Sequence, residues 1–306
     1  MSQTYSYDYH LCRFRGGEPG KAPAPAFGPL PGETRMIDLP GARVRANLAG
    51  SGKHTVLLSP DPPHVLESYA PVIRTLADRF RVLTFESPGF GYSRPTRRYD
   101  FSLEALADII AGVMDASETP RVISAVPCGN GFGALRFARL HPDRIEALLS
   151  VQTPEFGEYL KWIERVDPTG EIRVPLKGQR HLARNVQEVS RGWLRIAEND
   201  RAQQALYIEE SAGHLHNGAC YCLASALQQF VATENPFHDW RLDRPTAILW
   251  GGSDKTYRHA PHFSFAAYAP TDREARTVAI PGVGHFPEMS RPDLLLELLA
   301  ELAAAA

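Results

Sequence analysis

From Thr34 onward, short unbroken apolar runs alternate with longer amphipathic ones, and this alternation restricts the fold more than any other feature of the chain. Val56-Leu57-Leu58, Val82 to Phe85, Val122 to Val126, Ile145 to Val151, Ala247 to Trp250 and Thr277 to Ile280 read as strands. Between them, Val65, Leu66, Tyr69, Val72, Ile73 and Leu76 fall on one helical stripe. Leu103, Leu106, Ile109, Ile110 and Val113 form another, and Leu294, Leu295, Leu298, Leu299 and Leu302 a third. Strands without a polar face must be covered on both sides, which implies a mostly parallel, doubly wound α/β sheet. Met36 to Leu39 and Val44 to Leu48 flank Pro40-Gly41 and read as a preceding hairpin. With 306 residues, the chain is long enough to bury such a core.

Two segments interrupt the pattern. Residues 1–33 carry Gly16-Gly17, Gly20, Pro23, Pro25, Pro29 and Pro31, and are expected to form an irregular extension. Tyr5, Tyr7, Tyr9, Phe14 and Phe27 within it suggest packing over the body or a neighbouring subunit, such as the partner of a homodimer. Residues 154–241 are helix-like and richer in charge, Trp and His, and fit an insertion between two sheet strands, where Trp162, Trp193, Tyr207, His181 and His214 would either line the roof of a pocket or simply pack. The sheet-forming core is therefore assigned to 34–153 and 242–306.

Several function classes fall away on composition. The formal charge is −2, and the 28 Arg and 5 Lys form no run in sequence, so nucleic acid is not expected as a partner. No apolar window is long enough for a membrane span, and the first residues have neither part of a signal peptide. Cys12, Cys128, Cys220 and Cys222 are too few and too unevenly spaced for a disulfide framework. A cytoplasmic protein acting on a small molecule is expected.

In doubly wound sheets, ligands bind beyond the carboxyl ends of the strands. Three such loops carry reactive groups: Cys128 in Pro127-Cys128-Gly129-Asn130-Gly131-Phe132-Gly133, Asp254 in Gly251-Gly252-Ser253-Asp254, and His285 in Pro281-Gly282-Val283-Gly284-His285-Phe286. Their chain order is nucleophile, acid, base. His214-Leu215-His216 with Cys220-Tyr221-Cys222 superficially suggests a metal site, but residues two apart on a helix diverge. No metal or cofactor is expected.

With those three loops, Glu86-Ser87-Pro88-Gly89-Phe90-Gly91-Tyr92-Ser93, His141-Pro142-Asp143-Arg144 and Gly284-His285-Phe286-Pro287 make the chain resemble the α/β-hydrolase superfamily. The likeness is greatest to capped members such as epoxide hydrolases and proline iminopeptidases. It runs from about Thr34 to Leu302 and implies the α/β-hydrolase fold with 154–241 as a helical cap. The usual G-x-S-x-G elbow is altered, leaving two registers. One puts Cys128 at the nucleophile; the other fits Gly129 to Gly133 to the glycine pattern and leaves Gly131 at the reactive position. Distances to Arg121-Val122 and His141-Pro142 match the family when Cys128 is the nucleophile. The resemblance then implies a Cys128, His285, Asp254 triad. The plain alternative for Cys128 is a small buried hydrophobe.

Where the family carries His-Gly, this chain has Ser59-Pro60-Asp61-Pro62-Pro63-His64. The resemblance implies oxyanion donors at the Asp61 and Gly129 amides, since Pro60 and Pro62 have none. The Asp61 carboxylate either faces substrate as an acid or base, or faces solvent or caps the next helix. Three functions follow: hydrolysis or acyl transfer at an ester, thioester or lactone; a non-hydrolytic lyase or cyclase step in biosynthesis using His285 and Asp61; and a silent binding protein.

Overall fold

The computed structural model describes residues 3–15, 17, 26–216, 220–272 and 274–306. Its strands are β1 (Glu33–Asp38), β2 (Ala42–Ala49), β3 (Thr55–Leu58), β4 (Arg81–Phe85), β5 (Arg94–Pro95), β6 (Val122–Ser124), β7 (Ile145–Val151), β8 (Thr246–Gly251) and β9 (Arg276–Ile280). They form one sheet in the order β1-β2-β4-β3-β6-β7-β8-β9, with β5 paired to β2. The expected hairpin is β1–β2, in register from Glu33 opposite Leu48 to Asp38 opposite Arg43. The β2–β4 pairing is also antiparallel. From β4 through β3, β6, β7 and β8 to β9, each neighbour is parallel.

Side-chain alternation divides the sheet between two cores. Val56, Leu58, Val82, Ile123, Ala147, Leu149, Ala247 and Leu249 face α2 (Ala70–Ala77) and α10 (Pro292–Ala305), meeting Val72, Ile73, Leu76, Leu295, Leu298 and Leu299. Leu57, Leu83, Leu148, Ile248 and Trp250 face the opposite side, against α3 (Leu103–Ala116) and α4 (Cys128–Leu140). Burying one leucine-sized side chain stabilises by roughly 1.5–3 kcal/mol, so these two layers fix the strand register and the loops at the strand ends. Ser102 caps α3 by accepting from the Ala105 amide at 3.1 Å.

Between β7 and β8 the described residues form four helices: α5 (Phe156–Val166), α6 (Lys177–Ala197), α7 (Arg201–His216) and α8 (Leu223–Ala232). A short helix α9 (Pro287–Ser290) follows the β9 loop. No described helix is long and apolar enough to cross a membrane.

The expectation of an irregular start needs correction. Residues Gln3–Arg15 form a helix, α1. The breakers begin only at Gly16, and the preceding segment has neither Gly nor Pro. Its buried side holds Leu11, Cys12 and Asp8, with Asp8 accepting from the Ser225 hydroxyl. The Tyr9 ring packs under the Arg97 guanidinium at 5.0 Å, and Phe27 meets Tyr207 at 6.0 Å. The contacts described for this segment are thus made to its own body. Gly20, Pro23 and Pro25 lie outside the described residues.

Candidate active site

The site is assembled by three loops at the carboxyl ends of β6, β8 and β9. After β6 the chain turns sharply into α4, and Cys128 occupies the turn with φ +51°. A non-glycine residue there is under steric strain, the signature of a nucleophile elbow. Gly131 lies instead in the first turns of α4, where an added Cβ would come within 2.3 Å of Thr153 Oγ1. Packing against Thr153, just beyond β7, therefore accounts for the glycine that suggested the second register. Thr153 Oγ1 also donates to the Cys128 carbonyl at 3.0 Å, clamping the turn.

Asp254 and His285 are brought together by backbone contact between their loops. A Cβ on Gly251 would lie 1.6 Å from the Gly284 carbonyl oxygen, so the two loops approach as only glycine allows. The Ser253 amide donates to the Val283 carbonyl at 2.9 Å. His285 Nδ1 then lies 2.9 Å from Asp254 Oδ2. Three further donors hold that carboxylate: Gln152 Nε2 at 2.7 Å, the Thr256 amide at 2.8 Å and Thr256 Oγ1 at 2.6 Å. Gln152, held at φ +49°, also accepts from the Gly251 amide at 2.8 Å.

A second carboxylate, Asp61, enters from a fourth loop, the one after β3. Its Oδ2 lies 3.2 Å from His285 Nε2, at ion-pair distance. Each of the two atoms is buried with no other hydrogen-bond partner. Asp61, Cys128 and His285 present a carboxylate oxygen, a sulfur and a ring nitrogen all within 4.8 Å of one another. Asp61 thus faces the reactive centre, and the solvent-facing alternative falls. Its amide points the other way, donating to Tyr69 Oη at 3.3 Å, and Tyr69 in turn donates to Glu288 at 2.6 Å. Of the two expected oxyanion amides, Gly129 at the start of α4 is free of any described acceptor, while Asp61 is engaged.

Electrostatics follow from this packing. Burial disfavours a charge on His285, but the Asp254 carboxylate, Cys128 and Asp61 hold its pKa well above the ordinary imidazole range. Burial, then the nearby Asp61 charge, pushes the Cys128 thiol up, against the opposing pull of His285. Burial also raises Asp254, yet His285 and Thr256 outweigh it and keep that carboxylate below its usual value. Burial raises Glu288 to about 7 and lowers His64 to about 4. His64 packs edge-on against Phe286 and Tyr207, each at 4.7 Å, with neither ring nitrogen bonded.

A cavity of about 580 Å³ opens onto Cys128, lined by Asp61, Tyr159, Trp162, Trp193, Leu227 and Phe230 among others. Trp193 packs edge-on over His285 at 4.9 Å. Tyr257 Oη lies 3.3 Å from Cys128 Sγ, and Tyr159 Oη sits where a Cβ on Gly129 would be, 2.4 Å from it. Among the insertion residues considered from sequence, Trp162, Trp193 and His181 line this cavity. His214 and Tyr207 do not: His214 bonds Tyr92 and Glu210, each at 2.9 Å. Cys222 faces Cys12, and the side chain of His216 is outside the described residues. Gln152, Thr256, Tyr159 and Tyr257 are the site residues that sequence reasoning missed. The position of Gln152 directly after β7 was a usable signal; the facing of the aromatic residues had none.

An elbow at the end of a parallel strand, an acid after β8 and a histidine after β9 define an α/β hydrolase. Residues 56–298 match the alpha/beta hydrolase family, and the chain belongs to it. It is 25% identical over 248 residues to the pimeloyl-[acyl-carrier protein] methyl ester esterase of Xanthomonas campestris pv. campestris, covering 78% of this chain and 90% of that one. A further relative, from Caulobacter sp. (strain K31), is 32% identical over only 101 residues, and the match spans 38% of that protein. Two solved structures share the fold. A hydrolase from Pseudomonas aeruginosa PA01 superposes with TM-score 0.70 at 21% identity, over 90% of this chain and 99% of that one. A thermophilic esterase from Thermogutta terrifontis gives 0.69 at 22% identity, over 89% and 98%.

Proposed function

We propose that this protein is an acyl-processing enzyme that attacks an ester, thioester or lactone carbonyl of a largely apolar small molecule through Cys128, His285 and Asp254. The observation that carries the reading is the strained elbow at Cys128, with His285 within reach of its sulfur and Asp254 bonded to the far nitrogen of that ring. Residues 154–241 act as a cap whose tryptophans exclude water from the carbonyl.

In this scheme the Cys128 sulfur forms a bond to the carbonyl carbon and the thiol proton passes to His285 Nε2. The carbonyl π electrons move onto oxygen, where the Gly129 amide meets the developing charge. Collapse expels the alcohol or thiol, which takes the proton from His285. Water or another nucleophile then releases the acyl group by the same steps. Losing one oxyanion donor typically costs 10²–10³ in rate. The Tyr257 and Tyr159 hydroxyls beside the elbow are placed to supply the donor that Asp61 does not. Asp254 holds the ring in the tautomer that leaves Nε2 free to accept.

A second reading has its own support. The Asp61 carboxylate sits 3.2 Å from His285 Nε2, an acid–base pair suited to a lyase or cyclase step that needs no oxyanion hole. The two are separated by assaying a panel of acyl esters, thioesters and lactones with wild type, Cys128→Ala and Asp61→Asn. Acyl chemistry predicts that Cys128→Ala abolishes turnover. An elimination or cyclisation predicts that Asp61→Asn does so while Cys128→Ala retains activity. A protein that turns over nothing and whose thiol reacts no faster than free cysteine would be a binding protein instead.

A further inference from the structure

We propose that Asp61, Cys128 and His285 form a three-ligand site for a borderline-soft divalent cation of the zinc class, and that cation and acyl substrate exclude one another at Cys128. The proposal uses the same residues as the acyl reading but depends only on their geometry. A tetrahedral zinc with bonds of about 2.0–2.3 Å places its ligand atoms roughly 3.3–3.7 Å apart. Here Asp61 Oδ2 and His285 Nε2 are 3.2 Å apart, and all three ligand atoms fall within 4.8 Å. The 3.2 Å separation is that of an ion pair and is also close to the spacing of two ligand atoms on one cation. The Asp61 oxygen and the His285 nitrogen are both buried with no other hydrogen-bond partner.

Three further features support it. Asp254 bonds Nδ1 of the ligand histidine at 2.9 Å, the carboxylate–histidine arrangement that orients and strengthens zinc-binding imidazoles. The ligands stand on three separately pinned loops, with Asp61 held by its amide to Tyr69 and its carbonyl to the His64 amide at 3.0 Å. Sulfur, imidazole and carboxylate together match a cation of zinc softness and disfavour magnesium and calcium, which take oxygen ligands. One thiolate and one carboxylate neutralise the two positive charges. Asp61 and Cys128 line the cavity, which gives a cation and water access to them. On binding, the proton shared between Cys128 and His285 leaves to solvent, and the sulfur and Nε2 lone pairs are committed to the metal, so Cys128 cannot attack a carbonyl.

The test uses the full chain stripped with a chelator and titrated with Co²⁺, alongside Zn²⁺ in competition with a chromophoric chelator. Wild type, Cys128→Ser and Asp61→Asn are compared, with thermal unfolding checking that each variant folds. Expected are one equivalent bound, a thiolate-to-cobalt charge-transfer band in wild type and Asp61→Asn but not in Cys128→Ser, and Zn²⁺ affinity weakened at least 10-fold to 100-fold by either substitution, since loss of an outer-shell partner alone costs that much. Zn²⁺ is also expected to protect Cys128 from iodoacetamide. Absence of the charge-transfer band, or equal Zn²⁺ affinity in wild type and Cys128→Ser, would overturn the site. Acyl-adduct formation on metal-free protein reports the nucleophile separately. Metal binding without an adduct would leave this site standing and remove the acyl reading, and an adduct without metal binding would do the reverse.

Discussion

Replacing Asp254 with Asn tests whether the carboxylate behind His285 controls the thiol in front of it. The Nδ1···Oδ2 separation is 2.9 Å. At an effective dielectric of about 20, such an ion pair is worth roughly 4–6 kcal/mol and favours the imidazolium. Asp254→Asn removes that support and also turns an amide NH₂ toward the Gln152 and Thr256 donors. The sign follows from the coupling of the pair. In wild type Asp254 favours transfer of the thiol proton to the ring, and the imidazolium so formed stabilises the thiolate. In the variant the ring loses its proton first, and a thiol already raised by burial must ionise beside a neutral imidazole. The assay is the pH dependence of iodoacetamide alkylation, read by peptide mass spectrometry with the buried Cys12, Cys220 and Cys222 as internal references. Alkylation of Cys128 at pH 7 is expected to fall about 10²-fold to 10³-fold, with the profile midpoint moving to higher pH. An unchanged profile in a folded variant would refute the reasoning, because Asp254 would then have no hold on the thiol.

Other consequences concern the scaffold. Asp8 on α1 is raised to about 7 by burial, against the opposing Ser225 hydrogen bond. Because the docked helix favours the protonated acid, docking is strongest below pH 4 and weakens as pH rises toward 7. Asp8→Asn is therefore expected to flatten the pH dependence of hydrogen exchange across residues 7–15 and to increase protection at pH 8. Arg45 is bonded to Glu67 at 2.5 and 2.9 Å and to Glu86 at 3.3 Å, all three buried. Arg45→Met strands two buried carboxylates and should cost about 3–5 kcal/mol in denaturant unfolding. The triple change Arg45→Met, Glu67→Gln, Glu86→Gln should recover much of that loss. Gly129→Ala would drive a methyl to 2.4 Å from Tyr159 Oη, and turnover is expected to fall with little change in stability.

The parts of this molecule legible in sequence are those set by local periodicity. Apolar runs such as Ile145 to Val151 and stripes such as Leu103 to Val113 encode their elements by the spacing of residues a few positions apart. The loops bearing Cys128, Asp254 and His285 were legible because each directly follows such a run. The helix Gln3–Arg15 was not, because the dense glycines and prolines beyond it coloured the reading of the whole extension. Nor could sequence tell that the Asp61 side chain turns inward while its amide turns to Tyr69. That facing depends on a tyrosine eight residues away and on Glu288 at the far end of the chain, and no local pattern records it. Trp193 over His285 is hidden for the same reason: the helix is periodic, but its partner is set by how the inserted helices lie on the sheet.

The central claim is that Cys128 is the nucleophile of an acyl-processing site. Intact-protein mass spectrometry after incubation of metal-free wild type and Cys128→Ala with short-chain p-nitrophenyl esters and acyl-thioesters tests it most directly. The account predicts a single acyl mass added to wild type, mapped to the peptide containing Cys128, and none added to the variant. Released nitrophenol from both proteins at equal rates, with no adduct on either, would contradict it.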